Sequence, residues 1–320
     1  MRIPGFVLWM FPVSMMVLGA GVVCGQDYPN KPVRILTSGA GGGNDFLARV
    51  IAQPLSRSLD QQVIVENRAG LLLSIETVAK APPDGYALLV AANTLWTGPL
   101  LRKLSYDTLK DFLPISLMTR APTMLVVHPS LPVKTVKELI ALAKARPGEL
   151  NYGSSSIGAS NHLAAELFKS MAGVNIVHIP FKGSGAALIS LIGGQVQLFF
   201  ATPGSVSAQV KSGKLRVLAV TSAEPTALFP GLTTVAASGL PGYELLDVKG
   251  MFAPRGTPAA IISRLNREVV MALNQTDVKE MLFKAGAEAV GSSPEQLAAA
   301  VESEIATASK TIKEAGIRIE

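Results

Sequence analysis

The chain of 320 residues has one cysteine and three histidines, and charged side chains make up only 16% of it against 48% hydrophobic residues. Cys24 lies inside the leading apolar stretch, so the rest of the chain has no disulfide, no thiolate metal site and no cysteine nucleophile. His128, His162 and His178 show neither metal-ligand nor triad spacing and read as structural histidines. The low charge and high apolar content exclude a disordered chain and fit one or two packed domains. Aromatics, at 6%, are too few to suggest a sugar-stacking cleft. The 29 basic residues exceed the 23 acidic ones modestly. They are scattered (Lys31, Arg34, Arg49, Lys80, Arg102, Lys103) instead of clustered with aromatics, so a solvated surface is expected and no nucleic-acid groove.

Past residue 25 no uninterrupted apolar run is long enough to span a bilayer. The opening stretch MRIPGFVLWMFPVSMMVLGAGVVCG has one cation, Arg2, and the next charge is Asp27. It reads as a secretory signal over residues 1–25, cleaved between Gly25 and Gln26. A membrane anchor is the alternative, opposed by Pro12, Ser14 and several glycines. Lipid attachment at Cys24 is opposed by Gly21-Val22-Val23, since such sites favour a small residue just before the cysteine. A soluble, exported product with a net charge of +5 is expected, because Arg2 is the only charge removed from the +6 total.

β-Branched runs alternate with helical spacing along most of the chain. VRILTSG (33–39), QVIVENRA (62–69), YALLVAA (86–92), NYGSSS (151–156), NIVHIPF (175–181), VQLFFAT (196–202) and LRVLAVTS (215–222) read as strands. Helices are expected over 44–59, 135–146, 160–172, 184–193 and 203–211, then 258–274, 276–285 and 294–315. Thr135 should cap its helix and Ser293 the last one, whereas Pro54 should kink or divide the first. The grammar is α/β with mostly parallel sheets. Two extended segments, 114–130 and 242–258, break the alternation and are expected to cross between two lobes. The C-terminal helices should then return to the first lobe.

The sharpest local feature is TSGAGGGNDFLAR, in which four of the five residues 39–43 are glycine, between a strand and a helix. A dinucleotide fingerprint counted from Gly39 and Gly41 reaches Asn44 where a third glycine or alanine belongs, and no G-K-[ST] follows, so nucleotide binding is unsupported. What remains is a glycine nest at a helix start, suited to a small anion, or a plain tight turn capped by Asn44. NYGSSSIGASNHL offers hydroxyls and backbone N–H groups at a second strand-to-helix turn. A nucleophilic serine there is the enzymatic alternative, but no G-x-S-x-G elbow is present. Thr202, in FFATPGS, is either a ligand donor or a helix cap.

YPNKPVRIL, GGGNDFLAR, VIVENRAG, PPDGYALLVA, LSYDTLKDF, PVKTVKELIALAKARPGELNYGSS, HLAAELFKSMAGV, IPFKGSGAAL, GGQVQL, SGKLRVLAVTS, GLPGYE and APRGTP follow in order from Tyr28 to the C-terminus. Together they resemble the Bug family, the TctC-like solute receptors of tripartite tricarboxylate transport. The resemblance implies a type II periplasmic-binding-protein fold: two α/β lobes with mixed, mostly parallel sheets, joined by two crossing strands. Lobe 1 is then 26–122 plus 246–320, and lobe 2 is 123–245. It also implies a monomeric, non-enzymatic periplasmic receptor, without cofactor or metal, that captures a small carboxylate and delivers it to a membrane permease. An orphan receptor feeding a sensor is the alternative within that class.

By the same resemblance the carboxylate is held by Ser38, Gly39, Ala40, Gly41, Gly42, Gly43, Asn44 and Asp45, with Ser154, Ser155, Ser156 and Ser160 facing from the other lobe; Thr202 joins the candidates on its local reading alone. Departures from the family pattern are Gly39 and Ala40 in place of prolines, Leu71-Leu72-Leu73-Ser74 in place of small residues, Gln197 and Ala201 in place of acids, and Asp247-Val248-Lys249 where an aromatic often sits. Leu71 and Ser74 are accordingly expected at the cleft, favouring a ligand smaller or more apolar than citrate.

Overall fold

The computed structural model describes residues 28–68, 71–314 and 316–317, so the expected signal, its cleavage point and Cys24 lie outside the described residues. The first lobe opens with β1 (Val33–Thr37), α1 (Gly43–Leu59), β2 (Val63–Asn67), α2 (Leu71–Ala79), β3 (Ala87–Ala92), α3 (Thr94–Leu101) and α4 (Thr108–Asp111). β4 (Phe112–Pro122) leads out of it. The second lobe holds β5 (Met124–Val127), α5 (Val136–Ala145), β6 (Asn151–Ser154), α6 (Ser160–Ala172), β7 (Val177–Pro180), α7 (Ser184–Ile192), β8 (Leu198–Ala201), α8 (Pro203–Lys211) and β9 (Arg216–Val220). β10 (Leu246–Pro254) returns to the first lobe, followed by α9 (Ala259–Leu273), α10 (Thr276–Lys284), β11 (Glu288–Ala289) and α11 (Pro294–Glu314).

The strands make two sheets, ordered β11-β4-β10-β3-β1-β2 and β7-β6-β8-β5-β9. Among the described residues, parallel ladders are those of β2-β1-β3 and β7-β6-β8, and a single parallel bridge joins Val220 to Thr234. The sheets are mixed, and β4, β5, β9, β10 and β11 pair antiparallel throughout. The connections between lobes account for this: a strand that enters a βαβ sheet from the other lobe has no crossover helix to set it parallel.

Period-two alternation gives each sheet two buried faces. In β3, Leu88 and Val90 pack with Ile35 and α1, whereas Leu89 and Ala91 pack with Trp96 and Leu297 on the opposite face. In β5, Leu125 and Val127 face Tyr152 and Phe168 while Val126 faces Phe199 and Ala187. Each lobe is therefore a helix-sheet-helix sandwich, built from strands apolar on both sides.

Several local expectations hold. The Thr135 hydroxyl accepts from the Glu138 N–H at 3.2 Å. Ser293 and Gln296 form a reciprocal capping box, each side chain accepting from the other's backbone N–H at 3.2 and 3.0 Å. Pro54 does not divide α1, which runs through it from Gly43 to Leu59 with Pro54 buried. Three helices, α2, α3 and the single turn α4, have no counterpart among the expected elements. α3 contains Gly98 and Pro99, poor helix formers, and is held by burial of Leu95, Trp96 and Thr97.

The chain passes between lobes at one hydrogen-bonded knot. Thr123 donates its N–H to the Thr221 hydroxyl at 2.8 Å, Thr221 returns its N–H to the Thr123 carbonyl at 3.0 Å, and Leu245 donates to the Thr221 carbonyl at 3.0 Å. The C-terminal segment does more than return to the first lobe, because α11 packs on β4 and α3 and also on α6 of the second lobe.

Candidate functional site

The glycine turn after β1 is fixed by Asp45. Its buried carboxylate accepts from the Gly41 N–H at 2.8 Å, the Asn67 amide at 2.8 Å and Arg49 Nε at 2.9 Å. Burial alone would raise its pKa, but these donors outweigh that and hold the carboxyl below its ordinary value. The Asn67 amide also donates to the Ser38 carbonyl at 2.7 Å, closing the base of the turn. Gly42 occupies the N-cap position of α1 and no side chain caps it, so the first N–H groups of that helix are left for another acceptor. Asn44 is buried and does not cap, while Gly39, Ala40, Gly41 and Gly43 lie exposed.

Gly41, Gly42 and Gly43 line an interlobe cavity of about 580 Å³. Its floor is made by the two crossing strands, through Thr119 and Ala121 of β4 and Asp247 and Lys249 of β10. The second lobe adds Thr202, Pro203, Gly204 and Ser205, the N-terminus of α8, where Thr202 is the N-cap and again no side chain caps the helix. Phe46, Met281, Leu282 and Ala285 supply an apolar wall. Two helix N-termini from opposite lobes thus face one cavity, each with partial positive charge suited to an anion; at α8 Pro203 has no N–H and the Ser205 N–H meets the Thr202 carbonyl at 3.0 Å, so the Gly204 N–H is the donor that helix offers.

Other expected residues sit elsewhere. Ser74 is buried and donates to the Thr37 carbonyl at 2.6 Å, so it fastens α2 to β1. Leu71 and Leu72 pack on the first lobe's core and Leu73 points to solvent. None of these four lines the cavity, and the apolar wall comes instead from α1 and α10. The serine turn also lies outside the lining. It abuts α3, where the Thr97 hydroxyl donates to the Gly158 carbonyl at 2.9 Å. Ser160 reaches the cavity floor only through Asp247, at 3.4 Å. Ser155 is tied through its N–H to the Asn161 carboxamide at 3.1 Å, and Ser156 is exposed.

Ser154 Oγ lies 2.7 Å from His178 Nε2, the pairing a serine nucleophile needs. Yet Ser154 is wholly buried, and its hydroxyl also reaches the Ser156 carbonyl at 3.2 Å. His178 stacks on His162 with ring centroids 4.2 Å apart, and both stack on Tyr152. Tyr152 donates to Glu166, which also accepts from Lys169 at 2.6 Å. His162 Nδ1 accepts the Gly158 N–H at 3.0 Å. The cluster thus braces the serine turn from behind.

Burial, with the neighbouring His178 and Lys169, pulls His162 down to about 3. Burial and Lys169 pull His178 down to about 4 against the opposing Glu166. Both fold as neutral imidazoles, whereas the unfolded chain takes up protons near pH 6.5. Their contribution to stability is therefore complete above pH 6.5 and lost as pH falls toward 4. For His162 alone the loss by pH 5 is on the order of 2 kcal/mol. Melting temperatures from pH 8 to 4 should show this slope in the wild type and a flatter one in His162→Gln/His178→Gln; equal slopes would refute it.

Thr119, Thr97 and the α10 wall are not among the residues singled out from sequence, and Lys249 enters there only as a departure from the family pattern, without a role. A signal for Lys249 existed: in YELLDVKGMFAP two charges two residues apart interrupt an apolar strand on one face. On the far side of the floor, Asn93 accepts the Val248 N–H at 3.1 Å and donates to Glu304 of α11 at 2.8 Å. Burial, with Glu244 and Asp247 nearby, pushes Glu304 up to about 7 against Asn93 and Arg120. No helix among the described residues is long and apolar enough to cross a membrane.

Comparison with known proteins agrees with this architecture. Residues 47–317 match the model of the TctC family, the tripartite tricarboxylate transporter family receptor. BugT of Bordetella pertussis is 34% identical over 96% of this chain and 97% of its own. The structure titled R. palustris Rpa4515 with adipate superposes with a TM-score of 0.86 at 38% identity, covering 91% of this chain and 99% of that one. MatC (Rpa3494) from Rhodopseudomonas palustris with bound malate gives 0.81 at 30% identity, covering 89% and 100%. A two-lobe α/β fold of the periplasmic-binding-protein kind, its match to the receptor family over most of its length, and Bug relatives aligned nearly end to end place the chain in the TctC family of tripartite tricarboxylate transporter receptors, the Bug proteins.

Proposed function

We propose that the protein is a periplasmic receptor that captures a small carboxylate between its lobes and hands it to the membrane permease of a tripartite tricarboxylate transporter. The observation that carries this reading is the interlobe cavity faced by the uncapped N-termini of α1 and α8. A carboxylate there exchanges water for charge-assisted hydrogen bonds from fixed N–H groups. Because its contacts come from both lobes, binding favours the closed arrangement. The ligands of the adipate- and malate-bound relatives support a carboxylate. Lobe boundaries at 122/123 and 245/246, beside the Thr123–Thr221–Leu245 knot, make that knot the hinge. Export through residues 1–25 and action as a monomer complete the reading.

The test is thermal-shift screening of the exported protein against mono-, di- and tricarboxylates, amino acids and aromatic acids. A ligand that binds only the folded state raises the melting temperature by mass action. A rise of several degrees with one class of acid is expected. No rise with any acid, alongside a rise with neutral solutes, would overturn the reading.

A further inference from the structure

Among the charged groups that line the cavity, Lys249 stands apart. It is 8% exposed, and among the described residues its one ionic partner is Asp247, two residues away on the same strand. A methyl group placed on Gly43 would lie 3.4 Å from Lys249 Cε and 3.7 Å from Nζ, so the ammonium sits against the first residue of α1. A cation at a helix N-terminus is opposed by the helix dipole, and nothing in the packing of the first lobe calls for one there. Asp247 offsets part of that cost, and a ligand anion beside Lys249 and the helix end would offset the rest. Across the ladder, Lys249 and Thr119 are paired residues of β10 and β4, so their side chains leave the sheet together at the cavity floor. The Thr119 hydroxyl is buried and has no hydrogen-bond partner among the described residues, a cost that a polar ligand atom removes.

We propose that Lys249, with Thr119, is a specificity-determining contact of this site, and that the pair selects a carboxylate carried on an apolar body over a hydroxylated or triply charged acid. The inference rests on the receptor reading and adds the ligand class. Asp247 neutralises Lys249, so the floor carries no net side-chain charge, and the unbalanced positive field is that of two helix ends. That field suits one or two carboxylates and leaves a third uncompensated. Lys284, the other lining cation, is exposed at the rim and engaged with Glu280. Opposite the floor, Phe46 and Met281 remain 41% and 40% exposed beside the buried Leu282, an apolar wall with no hydroxyl-binding group.

The test is titration calorimetry of hexanoate, adipate and citrate against wild type, Thr119→Val and the double variant Asp247→Asn/Lys249→Met, which removes both charges and so avoids a buried unpaired carboxylate. Wild type is expected to bind hexanoate or adipate at least about tenfold more tightly than citrate. The double variant should lose about tenfold or more, and Thr119→Val about threefold, with melting temperatures near that of wild type. Variants that bind adipate or hexanoate as wild type does, or a wild type that prefers citrate, would overturn the inference while leaving the receptor reading standing. Binding of none of the three acids by wild type, with a thermal shift from a neutral solute, would overturn both.

Discussion

Gly286→Ala should weaken ligand binding by about thirtyfold or more while costing little fold stability. Gly286 follows α10 in the first lobe, and a methyl group there would stand 2.6 Å from Pro203 Cβ and 2.9 Å from Phe229 Cζ, both in the second lobe. A proline ring at the first position of a helix cannot rotate away, so relief requires the lobes to part by roughly an ångström. Contacts that a ligand makes to both lobes are then lost on one side, and about 2 kcal/mol of lost contact corresponds to thirtyfold in affinity. The φ of +76° adds a strain of about 1 kcal/mol for alanine whether the lobes are open or closed. Gly286→Asn separates the two effects, because asparagine tolerates that conformation but still carries a Cβ. Both variants should bind poorly, with Gly286→Asn the more stable. Calorimetric affinities equal to wild type would sink the idea. At Gly158, on the opposite side, an added methyl group would overlap Leu101 Cδ1, but the end of a leucine can move, so Gly158→Ala should do less.

Asp45→Ala should cost on the order of 3 kcal/mol of stability and at least about tenfold in affinity. Three donors converge on that buried carboxylate, and hydrogen bonds to a charged group contribute about 1.5–3 kcal/mol each. The half-exposed Arg49 is discounted for solvent screening. Without the acceptor, the Gly41 N–H is freed and the turn loses the geometry that presents the α1 terminus to the cavity. The pH dependence provides a second reading. Because the folded-state pKa is lowered, the stabilisation is complete above the ordinary aspartate value near 4 and is lost as pH falls through the lowered one. Urea unfolding of wild type and Asp45→Asn at pH 7 and pH 3 should give a smaller difference at pH 3. An undiminished difference would show that the carboxylate charge contributes nothing.

Much of this architecture is legible in the sequence where the determinants are local. VRILTSG followed by GGGNDFLAR announces a strand, a turn and a helix terminus within a few residues, and the turn does reach the cavity. Ser293-Pro294-Glu295-Gln296 announces its capping box equally well. What escapes is fixed by partners far along the chain. Thr119 and Lys249 face each other only because β4 and β10 pair antiparallel. The approach of Gly286 to Pro203 depends on how the lobes meet, which no local pattern encodes. Leu71 and Ser74 are expected at the cleft because a resemblance aligns position without specifying which way a helix turns, and α2 turns Leu71 toward the core and Ser74 onto the Thr37 carbonyl. α3 was hidden by Gly98 and Pro99 and exists because Trp96 is buried.

The bridging position of α11 bears on kinetics. Since it packs on β4 and α3 of one lobe and α6 of the other, separating the lobes must slide α6 along a helix anchored in the first. Each 1.4 kcal/mol that such an opening costs would lengthen residence tenfold. A ligand enclosed between lobes strapped in this way would leave no faster than the contact of α6 with α11 lets them part.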